Sequence, residues 1–421
     1  MIDDFKPPAR KPKVIEPLPK PEYRPLPTLE DDMPADDAFQ TPDQAAQHDT
    51  ATPLPTVAGP IKKGRFSLQL SWPPRKRDLV VLGIAVLVIF GIAGGAWALL
   101  GHSAKPAPVA VVKPVPKKVV APKIITSNLT GLPVSDASVN QRPVTGVMIE
   151  NSPDARPQSG LNQAGVVFEA IAEGGITRFL ALYQDTQPDY IGPVRSARPY
   201  YVQWAMGFDA GYAHVGGSPE ALTNIKDWGV RDLDQFYNSG AYQRISSRYA
   251  PHNVYTSTAQ LNQLEASKGY TTSNFTGFAR KKDAPSKTPN AGTIDMNISG
   301  YYYNTHYDYD AASNSYKRSE GSAPHMELNK DGSQTQIQPK VVIAMVMQYG
   351  LEADDHHSQY NVIGNGQAFI FQDGTVTTGS WSKSDAKSQL TFADASGKPI
   401  ALNAGQTWLT ALSDANQVSY K

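Results

Sequence analysis

The chain has 421 residues, no cysteine, and 39 basic against 39 acidic side chains. The missing cysteine excludes disulfides, thiolate metal sites and a lipid-modified cysteine anchor. A formal net charge of zero gives no footprint for nonspecific nucleic-acid binding, so no nucleic-acid partner is expected.

The zero conceals a gradient along the chain. Residues 1–78 carry 12 basic and 12 acidic side chains and 15 of the 34 prolines. Such a segment cannot bury enough apolar surface to offset ordering entropy, so 1–78 reads as a disordered Pro-rich cytoplasmic tail. Residues 79–100, LVVLGIAVLVIFGIAGGAWALL, form a run of 22 without a charged or strongly polar side chain. At about 1.5 Å per residue the run reaches across a hydrocarbon core of about 30 Å. Arg75, Lys76 and Arg77 stand before it, and basic residues favour the cytoplasmic side. The expectation is a single-pass signal anchor in the cell membrane, N-terminus cytoplasmic and body extracytoplasmic. Ala96-Trp97-Ala98 has the small-x-small form of a cleavage site, so a cleaved form stays open. Residues 101–140 read as an extended Lys/Pro/Val linker, with five lysines and no acid before residue 124. Export without disulfides suits a bacterial envelope.

From 141 to 279 strands and helices interleave. Residues 144–149, 166–172, 178–184 and 210–215 read as strands, the second and third separated by Glu173-Gly174-Gly175. Helices are expected over 197–206, over 218–228 behind the cap Ser218-Pro219-Glu220, and from Ser257 or Thr258 to Lys268. Residues 280–292 have loop composition. From 293 to 421 the pattern is β-rich: 298–309 with 315–319, 341–347, 367–381 around Asp373-Gly374, and 407–412. The fold class is therefore α+β. A transmembrane helix precedes an outer α/β-type mixed domain, and a small, mostly antiparallel β domain follows.

The two outer halves use different cations. Residues 141–260 hold eight arginines and one lysine, whereas 281–421 hold ten lysines and one arginine. Arginine offers a planar fork for carboxylate, phosphate or sulfate; structural pairing with the eleven acids of 141–260 is the plainer reading. Gly192-Pro193-Val194-Arg195-Ser196-Ala197-Arg198-Pro199 is the densest candidate. A helix starting there would offer an anion its N-terminus, with Arg195 and Arg198 on one face and Ser196 adding a hydrogen bond. Structural capping is the alternative; a nucleophilic Ser196 is the weakest reading, because no Gly-x-Ser-x-Gly elbow surrounds it.

Glu169 and Glu173 stand four apart on a strand edge, and paired carboxylates can divide acid and base roles. Arg178 is equally able to neutralise Glu173. His252 and Asn253 lie in a loop shaped by Pro251, where acid/base duty competes with a structural role for the histidine. His214-Val215-Gly216-Gly217-Ser218 ends a strand and begins a helix, a second anion-friendly turn. Asp354-Asp355-His356-His357 has metal-ligand types but no spacing that forces convergence, and reads as a solvated loop. No zinc signature, calcium loop, Walker motif or dinucleotide fingerprint occurs, so neither metal nor cofactor is expected.

These stretches resemble the YerB-like bacterial lipoprotein family, a family of unknown function, over about residues 145–415. The resemblance rests on Arg142-Pro143, on 147–151, on 156–161 and on Glu169-Ala170 with 173–178. It continues through 192–199, 214–218 and 250–255, and more weakly through 316–318, 364–366, 379–383 and 399–408. Glu150 stands where the family leads one to expect Asp, which lengthens the side chain at constant charge. The resemblance implies a membrane-tethered, extracytoplasmic, two-domain protein without an established activity. Many relatives are cysteine-lipidated, and here a transmembrane helix takes that role. Two functions follow as expectations. One is binding of an anionic or carboxylate-bearing envelope component, such as a cell-wall polymer, by Arg156, Arg178, Arg195 and Arg198. The other is an envelope hydrolase or transferase with Glu173 and His252 as acid/base and the arginines stabilising developing negative charge.

Overall fold

The computed structural model describes residues 124–421. The tail 1–78, the expected span 79–100 and linker residues 101–123 lie outside the described residues. Among the described residues no helix is long and apolar enough to cross a membrane. The folded body begins earlier than the expected linker end at 140. Leu129 and Val139 are buried, and the Val134 N–H donates to the Ile125 carbonyl at 3.0 Å. Two apolar anchors are enough to tie this stretch down.

In the first half, β1 (Thr145–Glu150) is buried along its whole length. β2 (Val166–Glu173) and β3 (Ile176–Tyr183) form a hairpin. Its turn needs two left-handed residues, supplied by Gly174 at φ 52° and Gly175 at φ 80°. α1 (Pro199–Met206) starts two residues later than expected. A proline disfavours helical backbone in the residue before it, so Arg198 is extended at φ −137°, ψ 152°. Arg195 and Arg198 therefore do not share a helical face. β4 (Gly211–Ala213), α2 (Pro219–Asp227), β5 (Arg231–Asp232) and α3 (Thr258–Ser267) follow. Ser218 and Ser257 cap α2 and α3 with their side chains.

The second half supplies β6 (Thr293–Met296), β7 (Thr305–Asp310), β8 (Ser315–Glu320), β9 (Ala323–Pro324) and β10 (Val341–Val346). Then come β11 (Gly364–Gln372), β12 (Thr375–Lys383), β13 (Thr391–Asp394), β14 (Thr407–Leu412) and β15 (Val418–Tyr420). Asp373 and Gly374, at φ 58° and 73°, make the expected tight turn between β11 and β12.

Strands of both halves join in one ten-stranded sheet, ordered β13-β12-β11-β10-β14-β2-β3-β1-β4-β5. The second half is thus not a purely antiparallel sheet of its own: β14 pairs in parallel with both β10 and β2. The reason is visible in their side chains. VVIAMV and TWLTAL are buried almost throughout, as strands covered on both faces are. A separate five-stranded antiparallel sheet runs β9-β8-β7-β6-β15.

Alternation along the strands separates three cores. Met148, Phe168, Leu180 and Ile343 face α1 and α2 through Trp204 and Ile225. Val147, Ile149 and Val167 face the other way, toward Leu261 of α3. Val342, Ala344 and Phe371 meet Ile294, Tyr307 and Tyr316 of the five-stranded sheet. Between the last two cores lies a buried ion pair. Arg318 Nη2 of β8 donates to both oxygens of Glu169 on β2, at 2.9 and 3.0 Å, and both side chains are fully buried. Phe179, Tyr307 and Trp408 surround the guanidinium at 4.7–5.9 Å.

Replacing Arg318 by Met leaves Glu169 buried without its cation and Glu320 with Arg156 alone. The expected loss is about 3–5 kcal/mol of stability, read as a lower urea midpoint. A second prediction concerns pH. Burial pushes Glu265, whose carboxylate accepts from Thr145 Oγ1 at 2.9 Å, up to about 8 from an ordinary 4.5. The folded state therefore holds this proton more tightly than the unfolded state. The contribution of Glu265 to stability is fully present below about pH 4.5 and is lost as pH rises through about 8. Glu265→Gln should flatten that decline in urea unfolding compared at pH 6 and pH 9; an unchanged slope would rule out Glu265 as its source.

Candidate functional site

Three parallel strands, β1, β4 and β5, end side by side, and the chain leaving each end shapes a cleft of about 870 Å³. After β4, His214 is fully buried with both ring nitrogens engaged: Nδ1 at 2.7 Å from the Gly216 carbonyl and Nε2 at 3.1 Å from Asp232 Oδ1. Gly216 sits at φ 57°, where a side chain would be strained. A Cβ on Gly217 would lie 3.0 Å from that of Ala197. After β5, Asp234 Oδ1 accepts the N–H groups of Gly216 and Phe236. His214 thus holds the cleft floor.

After β1 the hub is Glu150, a buried carboxylate only 3% exposed. Arg195 Nε lies 3.2 Å from its Oε1 and His252 Nδ1 3.0 Å from its Oε2. Ser152 Oγ also donates to Oε1, at 3.0 Å. With Nδ1–H turned to the carboxylate, the lone pair of His252 Nε2 is left without a partner among the described residues. Asn253 does a different job: its Oδ1 accepts from Arg244 at 2.8 Å, and Arg244 lines the cleft.

The sequence motifs meet here in part. Arg195 and Ser196, Gly216 and Gly217, and Ala250, Pro251 and Val254 all line the one cleft. Arg178 and Arg198 stand behind it. Both pair with Glu173, while Arg178 also donates to the Ser196 carbonyl at 3.1 Å and Arg198 to the Ala197 carbonyl at 2.6 Å. They brace the backbone that presents Arg195 and Ser196. Burial raises the Glu173 carboxyl, but the two arginines outweigh it and hold it below the ordinary carboxylate range. Arg156 belongs elsewhere, donating to Asn151 at 3.0 Å and lying 3.4 Å from Glu320. Glu173 and His252 fall in separate clusters.

Sequence reasoning missed Glu150 as a hub, and with it Lys226, Arg244 and the neighbouring aromatics. Phe236 and Tyr237 line the cleft and are 67% and 84% exposed. Adjacent aromatics in a polar loop were the available signal. The charges of the cleft are unequal in their freedom. Asp232 and Asp234 are tied to His214 and to backbone N–H groups. Lys226 and the terminal nitrogens of Arg195 have no protein partner among the described residues.

Residues 129–271 match the family model "Protein of unknown function (DUF3048) N-terminal domain", and 294–409 match its C-terminal counterpart. The chain belongs to the DUF3048 family. YerB of Bacillus subtilis (strain 168), a lipoprotein by name, is 28% identical over 301 residues, covering 70% of this chain and 89% of YerB. The crystal structure of B. subtilis YerB superposes with a TM-score of 0.62 at 27% identity, over 70% of this chain and 99% of that one. Glu150 and the whole cleft lie within the N-terminal DUF3048 segment, whereas Arg318 and Trp408 lie in the C-terminal one.

Removing the charge of Glu173 sets two buried guanidiniums together without a counter-ion. Glu173→Gln should cost about 3–5 kcal/mol of stability in urea unfolding; an unchanged midpoint would remove the structural role given to Glu173.

Proposed function

We propose that this DUF3048 protein is a membrane-anchored extracytoplasmic protein whose cleft binds an anionic or carboxylate-bearing component of the cell envelope. The lipoprotein name of the Bacillus relative supports a tethered, exported body. The apolar run 79–100 supports a single span with the N-terminus inside. The observation that carries the binding reading is the imbalance of charge freedom in the cleft. Asp232 and Asp234 accept from His214 and from backbone N–H groups, while Arg195, Lys226 and Arg244 line the same cleft. Phe236 and Tyr237 add exposed apolar rims that suit the faces of sugar rings.

A second reading rests on one observation, the Glu150–His252 pair at 3.0 Å. A histidine oriented by a carboxylate through Nδ1 can move a proton at Nε2. An envelope hydrolase or transferase on the same polymers would use His252 as base, with Arg195 facing developing negative charge. Glu173, held ionised by two arginines, is poorly suited to give up a proton.

The test is calorimetric titration of the full chain with two probes, a soluble muropeptide carrying stem carboxylates and a poly(glycerol phosphate). Arg195→Ala and Arg244→Ala should each weaken binding about 10-fold or more, and added salt should weaken the parent. Unchanged affinity in both variants would sink the cleft as the binding site. Incubation with the same probes, followed by mass spectrometry, separates the second reading. Products lost in His252→Ala at preserved affinity would establish turnover.

A further inference from the structure

On the far side of α2, a loop of the C-terminal segment brings together side chains that the sequence leaves scattered. A short hairpin pairs Tyr349–Leu351 with Ser358–Tyr360, and its tip spans 352–357. The tip is tied across its base: the Glu352 N–H donates to the His357 carbonyl at 2.7 Å. Asp354 Oδ1 accepts the N–H groups of His356 and His357 at 3.0 and 2.9 Å. The hairpin tip docks on the N-terminal segment in two places. His357 forms a backbone bridge with Glu173. Ser218 Oγ, at the cap of α2, donates to Glu352 Oε1 at 2.9 Å.

That arrangement places one ligand atom each of Glu352, Asp354 and His357 within 4.8 Å of one another. Glu352 is the decisive member. It is only 4% exposed, and its second oxygen, Oε2, is buried without a hydrogen-bond partner. A buried carboxylate oxygen left unpaired costs on the order of 1–3 kcal/mol, and no arginine or lysine forms an ion pair with it among the described residues. The Glu352 side chain points to a group that the protein's own cations do not supply.

We propose that Glu352, Asp354 and His357 bind a divalent transition-metal cation, of which Zn²⁺ is the model. Carboxylate oxygen with imidazole nitrogen is the donor set for such ions, and it disfavours Ca²⁺ and Mg²⁺, which prefer oxygen alone. Metal–ligand bonds of about 2.0–2.1 Å put tetrahedral ligand atoms about 3.3 Å apart. His357 Nδ1 pairs with Asp354 Oδ2, and the ion would replace that contact. Three protein ligands leave room for water in the fourth position. The bound ion would neutralise Glu352 and fasten the C-terminal segment to the cap of α2, the helix that forms one wall of the cleft.

The experiment is calorimetric titration of the full chain, stripped with EDTA, with ZnCl₂. The expected result is a single tight site that His357→Ala and Glu352→Gln each weaken at least 10-fold. His306→Ala serves as the control, because His306 lies between Asp295 and Asp308 and is the competing exposed cluster. Circular dichroism of each variant checks that it is folded. His357 is partly exposed, so its variant keeps the test open if Glu352→Gln does not fold. Co²⁺ in place of Zn²⁺ should give visible bands that His357→Ala abolishes. No site tighter than about 10 μM, or a site lost in His306→Ala and kept in His357→Ala, would overturn the proposal.

Discussion

The ion pair between Glu169 and Arg318 is the constraint on which the rest of the structure depends. Both groups are fully buried, so each would carry a large desolvation cost if it stood alone. Burial raises the Glu169 carboxyl against the pull of Arg318, and the facing carboxylates of Glu169 and Glu320 hold Arg318 firmly cationic. The pair is satisfied only when β8 sits over β2 with β14 beside it. Trp408 Nε1 of β14 completes the shell by donating to Glu169 at 2.9 Å. One charge pair therefore specifies how the five-stranded sheet registers on the ten-stranded one. A slip in register would leave both charges buried and unpaired, which is strongly destabilising.

The specification extends to the cleft through neutral groups. Burial and the neighbouring Arg318 hold His325 well below the ordinary histidine range, so its ring is neutral. Its Nδ1 faces Arg318 and its Nε2 lies 2.9 Å from Gln158 Oε1. Gln158 then donates to the Glu150 carbonyl at 3.1 Å and to Asn151 Oδ1 at 2.7 Å. Each link in this path is a directional bond between buried groups, and the path ends on the residue that anchors Arg195 and His252. The C-terminal segment thus contributes to the cleft's geometry without lining it.

Legibility in the sequence followed the range of the interaction. Most strand runs, the Gly174-Gly175 and Asp373-Gly374 turns and the Ser218 cap are decided by residues a few positions apart and were read correctly. The strand expected over 298–309, however, begins only at Thr305, and β6 was missed. Pairings across the chain were not read. Glu169 and Arg318 are 149 positions apart, and nothing local to either tells that they meet. The eight arginines of 141–260 illustrate the same limit. Their type announced pairing, but only the fold tells that Arg178 and Arg198 converge on Glu173 while Arg195 turns to Glu150. Even the local rule that misplaced the start of α1 was available: a proline at 199 makes Arg198 extended, and an extended Arg198 cannot share a helical face with Arg195.

The position of the cleft follows from strand direction. In open sheets with parallel strands, the loops that leave the carboxyl ends splay apart and expose a crevice. β1, β4 and β5 are one of two runs of three parallel strands in this sheet, the other being β10, β14 and β2, and Glu150, His214 and Asp234 stand at or just beyond the ends of the first run. On the opposite flank of β1 the antiparallel β3 returns the chain tightly and opens no such space. The arginine-rich motif at 192–199 enters exactly at this edge, its Glu150 and Val254 backbone bonds stitching it between β1 and the His252 loop. Polar side chains in that position are held by strand ends rather than by mobile loops.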